Sequence, residues 1–474
     1  MTFSDISPDF QKARSLAELF ERRGRRIYLV GGAVRDYVLR HGKVSEASSR
    51  GGPQDSLDLD LTTDALPDEV EEIVSGWADS LWLAGKRFGT VALTKGGTKF
   101  EITTHRAEAY SDESRKPVVR FSDSIEEDLS RRDFTINSMA FELSSTNEPV
   151  LIDPFSGLSD LVAGVLRTPL SAEVSFFDDP LRMLRAARFV SRFQLAPTEE
   201  LVAAMASLKN RLQIVSKERV RDEFDKLMVC ESPQAGLWLL VDTGVMDEFI
   251  PEISALKLEQ DPIHRHKDVL AHTIAVVEKA SPEKILRLAA LFHDIGKPAT
   301  RQIGKDGVSF HFHDVVGAKL TKARLRMLKY PEKEIEVITK LVYLHLRFHT
   351  YGAGWTDKAV RRYVSDAGDL LDRLNELTVC DCTTRNENKA RQLKRQMDVL
   401  IDRIAKLREQ EELDSIRPDL DGLAVMELLE IPPGQQVGQA LEYLMDLRME
   451  EGPLGKEEAT RRLLAWWKEK QPKN

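Results

Sequence analysis

An apolar run, Ile27-Tyr28-Leu29-Val30, ends in Gly31-Gly32, and about one helix later stands Asp58-Leu59-Asp60; no other feature constrains the chain as tightly. The run reads as a strand. The paired glycines read as a turn that lets backbone N–H groups approach a triphosphate just before a helix begins. Arg35 and Asp36 lie one turn into that helix. In the second strand alternate side chains share a face, so Asp58 and Asp60 point the same way while Leu57, Leu59 and Leu61 enter the core. Two carboxylates on one face repel unless a cation sits between them. Hard oxygen donors in this arrangement suit Mg²⁺ held jointly with a substrate's phosphates, as two-metal nucleotidyl transfer requires. Taken singly, Gly-Gly is most often a plain turn and Asp-x-Asp a solvated strand edge. Strand, glycine turn, helix and paired aspartates in that order favour the metal reading.

Further strand signals follow in the first third of the chain: TVALTKGG, TKFEITTH, and the regions of MAFEL and VLIDPF. LAGKRFGTVAL followed by TKGGTKFEITTH predicts a hairpin with Gly96-Gly97 at its tip, which carries Glu101 towards the two aspartates. The polar stretch from about Tyr110 to Ser124, with its lone Pro117, reads as a mobile loop. Beyond about Ala172 the periodicity is helical almost without interruption, and several helices up to Met228 are rich in arginine. A break at Pro418, a short helix, a Pro432-Pro433-Gly434 turn and another helix follow near the end.

At 474 residues the chain has room for three or four domains. Its 31% charged and 42% hydrophobic composition is that of an ordinary soluble protein, with neither an apolar run of about 18 residues nor a signal-peptide pattern at the start. Three cysteines, Cys230, Cys380 and Cys382, are too few and too unevenly spaced for a disulfide framework or a zinc ribbon, so a cytoplasmic protein with reduced thiols and no membrane partner is expected. A net charge of -9 argues against a globally basic nucleic-acid binder while leaving room for a local basic track.

The motifs LVGGAVRD, DLDLTT, GKRFGTV, EITTHR, EEDLSRRDFTINSMA, IDPFSGLSDL, DDPLRMLRAARF and VSKERVRDEF occur in this order between Ile27 and Val229. In combination they resemble the bacterial tRNA nucleotidyltransferase and poly(A) polymerase family, class II of the DNA-polymerase-beta-like transferases, and most closely its CCA-adding members. The resemblance implies an α+β fold: a DNA-polymerase-beta-like nucleotidyltransferase head with a mixed β-sheet, then an all-α neck, body and tail. The expected divisions are 1–170 for the head, 171–255 for the nucleotide-recognising neck, 256–410 for the body and 411–474 for the tail. It further implies that Asp58 and Asp60 hold Mg²⁺ with Glu101 as a third carboxylate, and that Gly31, Gly32 and Arg35 contact the triphosphate. Arg131, Arg132, Asp133 and Asn137 would shape the nucleotide site, and Arg185 and Arg188 would be further nucleotide contacts. The partners implied are tRNA, CTP and ATP; the oligomeric state is not legible.

Asp179 and Arg182 stand three residues apart, a spacing that puts two side chains on one helix face. A carboxylate there can accept from the exocyclic amino group of cytosine or adenine, and a guanidinium can donate to the adjacent ring acceptor. Uracil and guanine would leave both groups mismatched. The same residues also spell a helix start, Asp capping ahead of Pro180 and pairing with Arg182. The family's acidic-x-x-Arg motif, matched in register, favours base reading, although Asp178 stands where the family often has glutamate.

Eight of the ten histidines fall between His264 and His349. His272 on an amphipathic helix, adjacent His293-Asp294 in an apolar one and a distant Asp381 have the form of an HD phosphohydrolase domain, with His313 and His345 as candidate further ligands. Imidazole and carboxylate together suit a divalent transition metal or Mg²⁺, of identity the sequence does not give. His264, His266, His311 and His349 read as surface or supporting groups. The tail residues Leu463, Leu464, Trp466 and Trp467 are expected to pack on the body. Four activities remain open: complete CCA addition, which leads; poly(A) synthesis or partial CC- or A-addition on the same scaffold; metal-dependent phosphohydrolysis by a protein whose head only binds RNA; and noncatalytic RNA binding.

Overall fold

All four residues of the first strand, β1 (Ile27–Val30), are buried. A run with no charged residue on either face needs a neighbour on both edges and cover on both sides. The computed structural model describes residues 8–41, 59–111, 114–257, 268–304, 307–348, 355–382, 387–410 and 416–470. Asp58, His264, His266 and His349 lie outside these. The described strands continue with β2 (Leu59–Thr63), β3 (Ser80–Trp82), β4 (Thr90–Lys95), β5 (Thr98–Thr104), β6 (Arg106–Ser111), β7 (Ser114–Phe121), β8 (Ala140–Glu142) and β9 (Val150–Ile152). Seven of them form one mixed sheet in the order β3-β4-β5-β2-β1-β8-β9. Only β2 and β5 run parallel in it; the other neighbours are antiparallel.

Alternation sets the two faces. Leu59, Leu61, Val91, Leu93, Phe100 and Ile102 are buried on one, while Asp60 and Glu101 take the other. The predicted hairpin is β4–β5. Gly96 and Gly97 at its tip have φ of 53° and 80°, the left-handed pair that matches the twist of the strands they join.

The segment expected as a mobile loop is a correction: β6 and β7 pair antiparallel as a separate two-stranded ribbon, Arg106 opposite Phe121. The ribbon pairs apart from the seven-stranded sheet, so its strands are not held to the period-2 pattern that marks the main sheet. The register shifts between Ala109 and Ser111, opposite the stretch that holds Pro117, a residue with no N–H to give a ladder.

The chain divides into two compact units, Met1–Pro251 and Glu252–Asn474. After the sheet, the first unit continues in helices whose starts the sequence marks: Ser171, Thr198 and Ser216 each accept from the backbone N–H three residues on. The helix Arg182–Phe193 buries Met183, Leu184, Ala186, Ala187 and Val190 along one stripe. In the second unit, Asp268 and Glu283 cap the helices Val269–Lys279 and Lys284–Phe292. A ribbon of Arg301–Gly304 with Gly307–Phe310 interrupts the helical reading. It was hard to foresee, since four-residue strands with Ile303 exposed show no buried face.

The final helices follow the predicted breaks, Gly422–Leu429 capped by Asp421 and Gln435–Glu451 after the Pro-Pro-Gly turn. Trp466 and Trp467 pack within the tail's own cluster around Val425, Leu444 and Leu463, Trp466 stacking on Tyr443 at 4.7 Å between centroids.

Candidate functional site

Asp60 and Glu101 are direct neighbours in the parallel pair β2–β5, so their side chains leave the same face of the sheet. Gly31 faces them. It has φ of 72°, and a Cβ built on it would lie 3.2 Å from Arg132 Nη1 and 3.9 Å from Asp60 Oδ2. A side chain there would be strained and would crowd both groups. The glycine turn, the strand aspartate and the arginine motif thus converge on one spot. Glu101 also accepts from Lys99 Nζ at 2.6 Å, which sets a cation beside the carboxylates.

Asp128, which sequence reasoning passed over, organises the arginines. It is fully buried, its Oδ1 accepting from Arg131 Nη2 at 2.6 Å and its Oδ2 from Arg132 Nη2 at 3.2 Å. Burial alone would raise its pKa; Arg132 and Arg131 outweigh that and hold it below the ordinary carboxylate range. The i,i+3 and i,i+4 spacing to the two arginines was the available signal.

Asp133 and Asn137 begin a second chain of contacts. Asp133 Oδ1 accepts from Asn137 Nδ2 at 3.0 Å, Asn137 Oδ1 accepts from Arg35 Nη1 at 2.6 Å, and Asp133 Oδ2 accepts from Arg185 Nε at 2.8 Å. Burial pushes the Asp133 carboxyl up, but Arg185 and the Asn137 hydrogen bond win and lower it. Arg35 is 5% exposed, paired with Asp36 and lying over the Phe193 ring at 4.3 Å. Placed so, Arg35, for which the resemblance implied a triphosphate contact, reaches Asn137 from inside the protein. The chain Arg35–Asn137–Asp133–Arg185 ties the glycine-turn helix to Arg182–Phe193.

Two expectations for that helix need correction. Asp179 and Arg182 do not share a helix face, because the helix Ala172–Asp178 ends before Asp179 and the next begins at Arg182. Asp179 accepts from the Leu181 N–H at 3.2 Å and reaches Arg219 Nη2 at 3.4 Å. Arg182 donates to Ser175 Oγ at 2.8 Å and to the Arg131 carbonyl. Pro180 has no N–H to continue the first helix, so the i,i+3 pattern spans a break. Nor is Arg188 open to a nucleotide: it is 8% exposed and hydrogen-bonds to buried Glu223, joining two helices. Arg131, Arg132, Arg182, Ser175, Asp178 and Glu127 line a cleft of about 240 Å³.

The second unit gathers His272, His293, Asp294, His313, His345 and Asp381 from the ends and faces of five helices. His272 Nε2 lies 2.9 Å from Asp381 Oδ1, and His293 Nε2 lies 3.2 Å from Asp294 Oδ2 and 3.5 Å from Asp381 Oδ1. His313 Nε2 lies 3.5 Å from Asp294 Oδ1 and 3.3 Å from His345 Nε2. His293 and Asp294 stand just past the helix end at Phe292, in a turn, where the sequence reading had them within the helix. Gly296 allows the approach of His313, since a Cβ on it would lie 2.2 Å from the His313 carbonyl oxygen. Burial alone would strip the proton from His293, but Asp294 and Asp381 outweigh it and raise the pKa to about 10. His345 goes the other way, to about 4, because burial and the neighbouring His293 both disfavour its charge. A cation can take the proton's place, and the donor set of imidazoles and carboxylates fits a divalent metal. Lys297, which sequence reasoning missed, places Nζ 2.6 Å from Asp294 Oδ2. His311 is exposed and stands apart.

Comparison with known proteins agrees with this division. Residues 27–167 match the model of the poly A polymerase head domain, 194–257 that of a probable RNA- and SrmB-binding site of polymerase A, and 268–406 that of the HD domain. The chain is 33% identical over 413 residues to an A-adding tRNA nucleotidyltransferase of Deinococcus radiodurans, covering 84% of this chain and 92% of that one. It is 35% identical over 260 residues to a CCA-adding enzyme of Levilactobacillus brevis, covering 55% of this chain and 60% of that relative's length. In fold it is similar to the Bacillus stearothermophilus CCA-adding enzyme solved with CTP, with a TM-score of 0.66 at 24% identity over 98% of this chain and 99% of the other. No helix among the described residues is long and apolar enough to cross a membrane.

Proposed function

We infer the function from one premise: the chain belongs to the tRNA nucleotidyltransferase and poly(A) polymerase family. It adds C, C and A to the 3′ end of tRNA from CTP and ATP without a nucleic-acid template, releasing pyrophosphate. The observation that carries this reading is the convergence of Gly31, Asp60, Glu101 and Arg132 on one face of the sheet. The Gly31 turn leaves room for a triphosphate against backbone N–H groups. Asp60 with neighbouring Glu101, together with Asp58, would hold divalent cations, for which Mg²⁺ suits the oxygen donors; cations held there would activate the attacking hydroxyl and neutralise the leaving phosphates. Arg131 and Arg132, held by Asp128, are aimed into the cleft as nucleotide contacts, and Arg182, held by Ser175, donates to the base edge. Asp133 and Asn137 position Arg185 and Arg35 around them. The tRNA 3′-OH attacks the α-phosphate in line.

The parts of the chain then divide as head 1–170, neck 171–255, HD body 256–410 and tail 411–474, in a cytoplasmic protein. The HD cluster is a divalent-metal phosphohydrolase site acting on nucleotide phosphoesters. The near full-length match to an A-adding enzyme favours one second reading, addition of the terminal A alone. Purified protein given tRNA that ends before CCA with labelled CTP, and tRNA ending in CC with labelled ATP, separates them. Incorporation in both reactions supports complete addition; ATP incorporation only would leave the A-adding reading; none in either would remove the activity from the chain.

A further inference from the structure

We propose that Trp82 is a stacking platform for a base of the tRNA acceptor strand just upstream of the reacting 3′-OH. The proposal rests on the reading of the head as a nucleotidyl-transfer site and adds the path by which the RNA enters it.

The register of the sheet puts Trp82 in line with the carboxylates. Asp60 stands opposite Glu101 in β2 and β5, Glu101 opposite Ala92 in β5 and β4, and Ala92 opposite Trp82 in β4 and β3. Residues directly opposite in a ladder leave the same face, so these residues form one row across the side that carries the proposed metal ligands. The neighbouring row of Leu59, Phe100, Leu93 and Leu81 takes the other face, where Leu59, Phe100 and Leu93 are buried. Trp82 ends its row on the edge strand of the sheet. It is 50% exposed, the one exposed tryptophan among the six of the chain. Trp77, by contrast, packs edge-on against Phe100 at 5.5 Å between centroids.

A single exposed apolar side chain is ordinary, and its place is what distinguishes Trp82. The triphosphate side of Asp60 is the β1 side, where Gly31 follows the strand and Arg132 approaches it. In-line displacement puts the attacking oxygen opposite the leaving pyrophosphate, so the RNA end arrives from the other side, over β5, β4 and β3. Three strand spacings separate Asp60 from Trp82, about 14 Å. A strand stacked at about 3.4 Å per nucleotide covers that with roughly four nucleotides, and an extended one with fewer. Ala92, the smallest side chain of the row, leaves the space between the carboxylates and the indole open. Cations flank the path. Lys99 Nζ lies 2.6 Å from Glu101 Oε1 on one side of the row, and Arg106 Nη2 donates to Thr90 Oγ1 at 3.0 Å on the other. Both bring positive charge to RNA phosphates, while the indole offers a flat face to whichever base comes to rest on it.

The test uses the full chain and a tRNA ending before CCA, with 2-aminopurine substituted in turn at each of the nucleotides nearest its 3′ end. Stacking on an indole quenches the fluorescence of this base. With wild type and no added nucleotide, extra quenching over free RNA is expected at one position, lost in Trp82→Ala and partly kept in Trp82→Phe. In nucleotide addition to unmodified tRNA, Trp82→Ala should raise the KM for tRNA by about 5-fold or more, with a smaller effect on kcat and on the KM for CTP. Trp82→Phe should recover most of that loss, with circular dichroism melts confirming the fold of both variants. Equal quenching in wild type and Trp82→Ala at every position, or a KM for tRNA unchanged by Trp82→Ala, overturns the platform. A wild-type protein that adds no nucleotide overturns the transfer reading instead, and the quenching still decides whether a base stacks on Trp82.

Discussion

At the scale of single residues, Asp60 and Arg182 carry the sharpest expectations. Asp60→Ala removes the carboxylate proposed as a metal ligand from the open face of β2 without disturbing buried Leu59 or Leu61. Nucleotide addition should fall below a few per cent of wild type, while a gel-shift assay finds tRNA binding intact; substantial residual addition would take Asp60 out of the metal site. Arg182 is a subtler case, because its guanidinium is held by Ser175 and the Arg131 carbonyl in the cleft wall. A site that hydrogen-bonds its substrate rejects a wrong base through the buried groups left unpaired, roughly 1–3 kcal/mol per group. Arg182→Ala should therefore lower the ratio of kcat/KM for CTP over UTP by about 10-fold or more. Ser175→Ala should lower the ratio in the same direction and less. An unchanged ratio in a folded Arg182→Ala protein would make the arginine a packing residue only.

Between elements, the helices Arg182–Phe193 and Lys217–Met228 are joined by the buried Arg188–Glu223 pair. Removing one partner of such a pair leaves the other charge buried and alone, a cost of about 3–5 kcal/mol. Glu223→Ala should be destabilised by that order in a denaturant titration, and Arg188→Met with Glu223→Leu should recover most of it. Recovery would separate packing from catalysis, as Arg188 is not open to substrate. The link of Asp133 to Arg185 gives a pH dependence. The folded carboxyl titrates below its unfolded value, so its stabilisation is complete above about pH 4 and is lost as pH falls through the lower folded pKa. Wild type should thus lose melting temperature on acidification below about pH 4 more steeply than Asp133→Asn; parallel curves would show that the ion pair adds nothing. The neck is also where sequence spacing misled. Three residues from Asp179 to Arg182 suggest one helix face, but Pro180 breaks the chain into two helices, and the acid turns to Arg219.

For the whole molecule, the head carboxylates and the histidine cluster belong to different compact units. Asp294→Ala should abolish any metal-dependent phosphoesterase activity and leave nucleotide addition nearly unchanged, measured on one preparation; joint loss would mean that the metal supports the fold of the chain. Much of this was legible beforehand. Local rules fix local things: period 2 put Asp60 and Glu101 opposite the core side chains, Gly96-Gly97 turned the hairpin, and Asp421 with the Pro-Pro-Gly turn marked the tail helices. The nucleotidyl-transfer chemistry followed from a short stretch of chain for the same reason. What the sequence could not determine was which strand lies beside which, and so that Asp60 and Glu101 are direct neighbours. It could not show that Arg35 and Arg188 spend their charges inside the protein, because burial is set by distant segments packing over a residue. Nor could it bring His272 and Asp381, 109 positions apart, to 2.9 Å from one another, because only the packing of distant helices sets that distance.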